Sequence, residues 1–354
     1  MLILKRTILF SVLVCSLLTI SAPAADPLPA DSAASMILLH GDTGRVLAER
    51  DADTPRLIAS TTKLMTALAA ATQGELDASV EILPAWTTVE GSSMYLRPGE
   101  SYTRRELLTG LLLASGNDAA LAVAGSADGG AEAFVGRMNA MARELGMENT
   151  HFSNPHGLDA PDHYSTARDL GRLMIRVMAE PVLREILSLP SAEIHGRVYR
   201  NHNKLLDLCP GVNGGKTGYT LAAGRCLVTS CERDGLWLVC VTLSDKKDWD
   251  DHRALYDWAY GNYRAFLPDT AGIPPVEVIS GERDRVDAVC ETLPRLCLGE
   301  GERAVLRCTL PDFVFAPVKA GEPAGTAALL LNGEKTYTAA LRWRSDVGAK
   351  MPSQ

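Results

Sequence analysis

Residues Arg225–Leu243 read RCLVTSC, ERDG, LWLVCVTL. Two apolar runs rich in β-branched residues flank a four-residue turn, which predicts an antiparallel hairpin. Just upstream, Gly214-Gly215-Lys216-Thr217-Gly218 begins the strand pattern that this hairpin continues. A second hairpin stands near the other end of the region, over Ser35–Glu49: MILLH, the turn GDTG, then RVLAE. Between the two hairpins the period is helical. STTKLMTALAAAT starts a helix at Ser60, and Thr103–Leu113 (TRRELLTGLLL) opens with Thr103 and Glu106 at capping-box spacing. Ala131–Leu145 carries Phe134, Met138, Met141 and Leu145 on one stripe, and Thr166–Ala179 is a further helix. Arg253–Phe266 reads as a closing helix with an aromatic face of Tyr256, Trp258, Tyr260 and Tyr263.

Working outward, Pro268–Pro275 is a Pro/Gly break that marks a domain boundary. The runs VEVIS, RAVLRCTL, FVFAPV and TAALLLN beyond it are strand-like, with no helical stretch among them. The division expected is a leader over 1–24, a large domain over 25–268 and a small all-β domain over 272–345. A length of 354 residues suits one large domain plus an appendix. Hydrophobic residues at 46% and charged residues at 22% exclude disorder and fibrous repeats. Lys and Arg number 35 against 43 Asp and Glu, so nucleic acid is not an expected partner.

The first residues, MLILKRTILFSVLVCSLLTISAPAADP, have a positive start at Lys5-Arg6, an apolar stretch over Thr7–Ile20 and small residues at Ala22 and Ala24. This predicts a secretory leader cut after Ala24 or Ala25, placing the mature chain outside the cytoplasmic membrane, in the periplasmic or extracellular cell-wall space. Seven cysteines remain after Cys15 leaves with the leader: Cys209, Cys226, Cys231, Cys240, Cys290, Cys297 and Cys308. An odd number cannot all pair with each other. Buried thiols are expected, with a disulfide among Cys290, Cys297 and Cys308 as the alternative.

Three short motifs carry the chemistry. Ser60-Thr61-Thr62-Lys63 places a hydroxyl and an amine at i and i+3 of a helix start, on one face. A serine hydroxyl needs a base, and lysine serves once burial or a second cation lowers its pKa. Ser115-Gly116-Asn117 follows an apolar helix, where a turn projects a hydroxyl and an amide into one space. Lys216-Thr217-Gly218 lies on a strand, suited to gripping an extended peptide and its carboxylate, and Lys216 is also the second cation that would depress Lys63. Each motif alone is weak; their order and settings together are specific.

Set in that order, these residues resemble the serine D-alanyl-D-alanine carboxypeptidases, the low-molecular-mass penicillin-binding proteins. The resemblance extends through GSSMYLRPGE (Gly91–Glu100), LLLASGNDAA (Leu111–Ala120), NTHFSNPHGLD (Asn149–Asp159), YSTARDL (Tyr164–Leu170), NHNKLL (Asn201–Leu206) and VNGGKTGYTLAAGRCL (Val212–Leu227). It implies an α/β (α+β) fold: an antiparallel sheet flanked by helices, with a helical subdomain and a small C-terminal β domain. It implies Ser60 as acylated nucleophile, Lys63 as base and Ser115 as proton relay. Asn117 would hold the substrate amide, Lys216 and Thr217 would bind the terminal carboxylate, and Gly218 and Tyr219 would complete the substrate-binding strand. The backbone N–H groups of Ser60 and Tyr219 would form the oxyanion hole. Arg253, in DDHRALYDW, would stand near the substrate carboxylate. The partners implied are peptidoglycan stem peptides, with β-lactams as covalent inhibitors and no cofactor.

The chain departs from many members at its end. LRWRSDVGAKMPSQ is too short and mixed for an amphipathic helix resting on a membrane. His151, His156 and His163 fit no zinc spacing, and no metal is expected. No GxSxG elbow is present, and no ExxLN stands between Ser115 and Lys216, which disfavours a class A β-lactamase. Endopeptidase action on cross-links, and a binding module with an inactive site, remain as competing readings.

Overall fold

A computed structural model describes residues 5–9, 27–72, 74–290 and 292–351. The chain divides into two compact units, Asp26–Gly261 and a second comprising the N-terminal 25 residues with Asn262–Gln354. Apart from Lys5–Leu9, which pairs antiparallel with Ala304–Pro311, the leader lies outside the described residues.

The larger unit is built on a five-stranded antiparallel sheet. Its strands are β1 (Ser35–His40), β2 (Val46–Arg50), β3 (Val212–Thr220), β4 (Gly224–Arg233) and β5 (Leu236–Leu243), in the order β2-β1-β5-β4-β3. The first and last segments therefore meet at the sheet centre, β1 beside β5, while β3 is left at an edge. β1 and β5 are almost wholly buried, which is why both read as continuous apolar runs rather than as alternation.

Helices cover the sheet and build the subdomain. A 3-10 turn, Ala59–Thr62, leads into α1 (Lys63–Ala71), a helix buried along nearly its whole length and packed against α2 (Arg104–Leu113), α3 (Asn117–Gly125), α4 (Gly130–Glu144) and α5 (Ala167–Ala179). Alanine at four of its nine positions lets four neighbours approach closely. The capping box of α2 is present: Glu106 N–H donates to Thr103 Oγ1 at 3.2 Å and Thr103 N–H to Glu106 Oε2 at 2.7 Å. α5 lays Leu170, Leu173, Met174 and Val177 on the sheet, with Gly171 admitting Leu39. After α6 (Pro181–Ser188), the unit closes with α7 (Asp248–Asn262).

The closing helix ends four residues earlier than its aromatic periodicity suggests. Tyr263–Phe266 is a strand paired with Leu296–Gly299, so the unit boundary precedes the Pro/Gly break. An aromatic at every third or fourth position suits a helix face, and aromatics also favour strands. The second unit has no helix among its described residues. Its main sheet runs Lys5–Leu9, Ala304–Pro311, Pro323–Leu331, Glu334–Trp343, Ala288–Cys290, around a core that includes Ala327, Leu341 and Trp343. No helix among the described residues is long and apolar enough to cross a membrane.

Candidate active site

Ser60 stands on the 3-10 turn ahead of α1, a tight bend with Ala59 at φ +46°. Such a conformation costs a non-glycine residue on the order of 1 kcal/mol and persists only where its surroundings impose it. Thr61 Oγ1 donates to Ile58 O at 2.7 Å and Thr62 Oγ1 to Ala59 O at 2.8 Å, while His163 Nε2 lies 2.7 Å from Thr62 Oγ1. Gly157, at φ +90°, approaches so closely that a Cβ there would lie 2.0 Å from Ala59 O.

Lys63, one turn on, is fully buried, with Nζ 2.7 Å from each of Ser60 Oγ, Asn117 Oδ1 and the His156 carbonyl. Burial first, and the charge of Lys216 second, hold its pKa well below the ordinary lysine value. In its neutral form, the one that can act as a base, the amine has two N–H donors and one lone pair. The two carbonyl oxygens take the donors, which leaves the lone pair facing the Ser60 hydroxyl.

Ser115 occupies the link between α2 and α3 at φ +61° and is buried. Asn117 opens α3; its Nδ2 donates to Glu90 O at 2.6 Å, leaving one amide N–H over. Asp118, to which the sequence reading gave no role, fastens the GSSMYLRPGE loop. It accepts from Met94 N at 2.8 Å, Leu96 N at 3.0 Å and Ser93 Oγ at 2.7 Å.

Lys216 lies within β3 with Nζ buried and donating to Thr217 O at 2.8 Å; burial lowers its pKa to about 7. Gly218 brings β3 against the serine turn: a Cβ there would be 2.9 Å from Ile58 O and 3.1 Å from Ser60 N. Ser60, Ser115, Thr217, Gly218 and Tyr219 line one cleft of about 360 Å³, together with Ser92, His202, Lys204, Arg225, Asp248 and Trp249.

Arg253 does not line this cleft. It sits on α7, half-exposed, 4.0 Å from Asp250. The guanidinium in the cleft wall is that of Arg225. It is paired with Asp248 through Nε–Oδ1 at 2.8 Å and Nη2–Oδ2 at 3.0 Å, and lies 5.6 Å from the Trp249 ring centre. Sequence reading missed it because its place comes from register: Arg225 is opposite Tyr219 across the β3–β4 pair. Among the described residues no group of three or more His, Cys, Asp and Glu is placed to hold a metal.

A serine hydroxyl in contact with a buried amine, beside a strand edge and a second buried lysine, is an arrangement suited to a serine peptidase. The D-alanyl-D-alanine carboxypeptidase family model matches residues 21–247, and the chain belongs to that family, a family of serine peptidases. The chain is 39% identical over 246 residues to D-alanyl-D-alanine carboxypeptidase DacB2 of Mycobacterium tuberculosis, covering 66% of this chain and 84% of the relative. It is 33% identical over 364 residues to DacA of Escherichia coli, covering 94% and 89%. Penicillin binding protein 5 from Haemophilus influenzae superposes with a TM-score of 0.74 at 27% identity, covering 90% of this chain and 98% of that one.

Proposed function

We propose that the chain is an exported carboxypeptidase that removes the terminal D-alanine from peptidoglycan pentapeptide stems through an acyl-enzyme on Ser60. The observation that carries this reading is the three-way coordination of Lys63 Nζ, which aims a lone pair at Ser60 Oγ. Lys63 takes the Ser60 proton as Oγ attacks the carbonyl joining the two D-alanines. The Ser60 and Tyr219 N–H groups take the developing oxyanion, the interaction usually worth most. Ser115 delivers a proton to the departing D-alanine amine, and water then hydrolyses the ester. Asn117 positions Lys63 and offers its remaining N–H to the stem. The strand edge at Lys216, Thr217 and Gly218 takes the extended peptide, and its terminal carboxylate meets Thr217 and Arg225 rather than Arg253.

A β-lactam presents a strained amide and a carboxylate in the same arrangement, so it acylates Ser60 and leaves slowly. The test is incubation of the mature protein and Ser60→Ala with fluorescent penicillin, alongside release of D-alanine from a pentapeptide. Covalent labelling and D-alanine release by wild type only are expected. Binding of pentapeptide without either would sink the reading. For the carboxylate, Arg225→Gln is expected to raise KM about 10-fold or more, while Arg253→Gln leaves it within about 2-fold; the reverse ranking would restore Arg253.

A further inference from the structure

Two cysteines at the root of β3 take no part in this chemistry. Cys209 precedes the Pro210-Gly211 turn that enters β3, and Cys231 lies on β4 opposite Val212, the first residue of β3. Both are buried free thiols. Cys231 Sγ contacts Pro210 O at 3.6 Å, and Cys209 Sγ accepts from Arg233 Nη2 at 3.1 Å. Arg233 also donates through Nε to Pro210 O at 2.7 Å, so both sulfurs gather around one turn and one guanidinium. The neighbouring thiol, then the charge of Arg233, draws Cys209 down to about 7 while Cys231 is pushed up. One sulfur is thereby ready as a thiolate and its partner keeps the proton.

We propose that Cys209 and Cys231 close a disulfide across the entry to β3 when the chain meets a thiol–disulfide oxidant. The setting rests on the export reading, since such bonds persist outside the reducing cytoplasm; it does not rest on the acylation chemistry. The Cys209 thiolate attacks one sulfur of an oxidant RSSR and expels RS⁻, forming a mixed disulfide. Cys231 passes its proton to the expelled thiolate and attacks Cys209 Sγ, expelling the second RS⁻, which takes the Cys209 proton back from solvent. The dithiol is oxidised, and RSSR is reduced to two RSH. The bond closes a loop of about 20 residues and anchors the strand that carries Lys216.

The experiment exposes the reduced mature protein to oxidised glutathione, both folded and while refolding from urea. Thiols are then blocked with N-ethylmaleimide and the peptides mapped by mass spectrometry. A linked Cys209–Cys231 peptide is expected in wild type and absent in Cys231→Ser. A Tm rise of roughly 5–10 °C over the reduced protein is expected in wild type alone. Alkylation of both cysteines under both regimes, or a link confined to Cys290, Cys297 and Cys308, overturns the proposal. Fluorescent-penicillin labelling of the same samples keeps the two readings apart: labelled protein without the link refutes the disulfide alone, and linked protein that does not label refutes the acylation alone.

Discussion

At Lys63 a single nitrogen has three neighbours at 2.7 Å, and the count of its hydrogens decides its role. Lys63→Arg supplies a fixed positive charge and no lone pair, because arginine is not deprotonated in proteins. Acylation by fluorescent penicillin is expected to slow by at least ~10²-fold, the lower end of general-base contributions. A rate near wild type would show that only positive charge is needed. Residues also set the response to acid. Burial holds His156 and His163 at about 4 and His252 at about 3, against an ordinary value of 6.5. His163 uses Nδ1 to accept from Ser153 N–H at 3.0 Å, which a protonated ring cannot do. Groups whose folded pKa is lowered in this way are fully accommodated above pH 6.5, and their stability is lost as pH falls from about 6.5 to 3. Calorimetric Tm should drop across that window; a flat profile would contradict these assignments. The hydroxyl–amine pair was legible in the sequence because i and i+3 meet on any helix. His163 was not, since its contact with Thr62 spans 101 residues.

Among elements, the closest approach is that of β3 to the serine turn. Gly218→Ala would thrust a methyl against Ile58 O and Ser60 N, moving the strand away from the site of negative charge development. Acylation is expected to fall about 10-fold or more while the fold is kept, in line with weakened oxyanion stabilisation; unchanged labelling would place the oxyanion elsewhere. A different junction ties the start of β1 to the start of α7. Ser32 Oγ lies 2.7 Å from Asp245 Oδ1 and 2.8 Å from Asp251 Oδ2, so two carboxylates compete for its single O–H. Burial, chiefly, raises Asp245 to about 6. The native state thus favours its neutral form: stability present below about pH 4 is lost as pH rises to about 6. Asp245→Asn keeps the acceptor oxygen and removes the charge, so it is expected to stabilise by about 1–3 kcal/mol at pH 8 and by little at pH 4. Denaturant midpoints at the two pH values check this, and a loss at pH 8 would refute it. Element types were readable from period and caps, as at Thr103–Glu106. The change from helix to strand at Asn262–Tyr263 was not, because the partner strand Leu296–Gly299 lies some 30 residues downstream and tertiary pairing decided the outcome.

For the whole molecule, every cleft residue belongs to Asp26–Gly261, and each unit has its own apolar core. A chain spanning residues 26–261 is therefore expected to fold and to take fluorescent penicillin at a rate within about 3-fold of the full protein. Soluble but unlabelled protein would give the β unit a part in the chemistry. The order of three motifs along the chain foretold the cleft, because hairpins at both ends of the domain must meet in one sheet. Arg225, in its wall, gave no signal in the sequence, because a side chain's neighbours across two strands follow from register, which a motif does not report.

The open edge of β3 has another side. Unpaired backbone groups proposed to take an extended substrate are equally available to a strand of any neighbouring chain, the usual seed of aggregation. Two traits of this strand spoil it as a template. Its register with β4 slips between Val212 and Gly214, and it turns a lysine, Lys216, inward. A foreign strand lying along it meets an irregular pleat and a charge that must be matched. The irregular register and the inward lysine thus guard the sheet against its own copies.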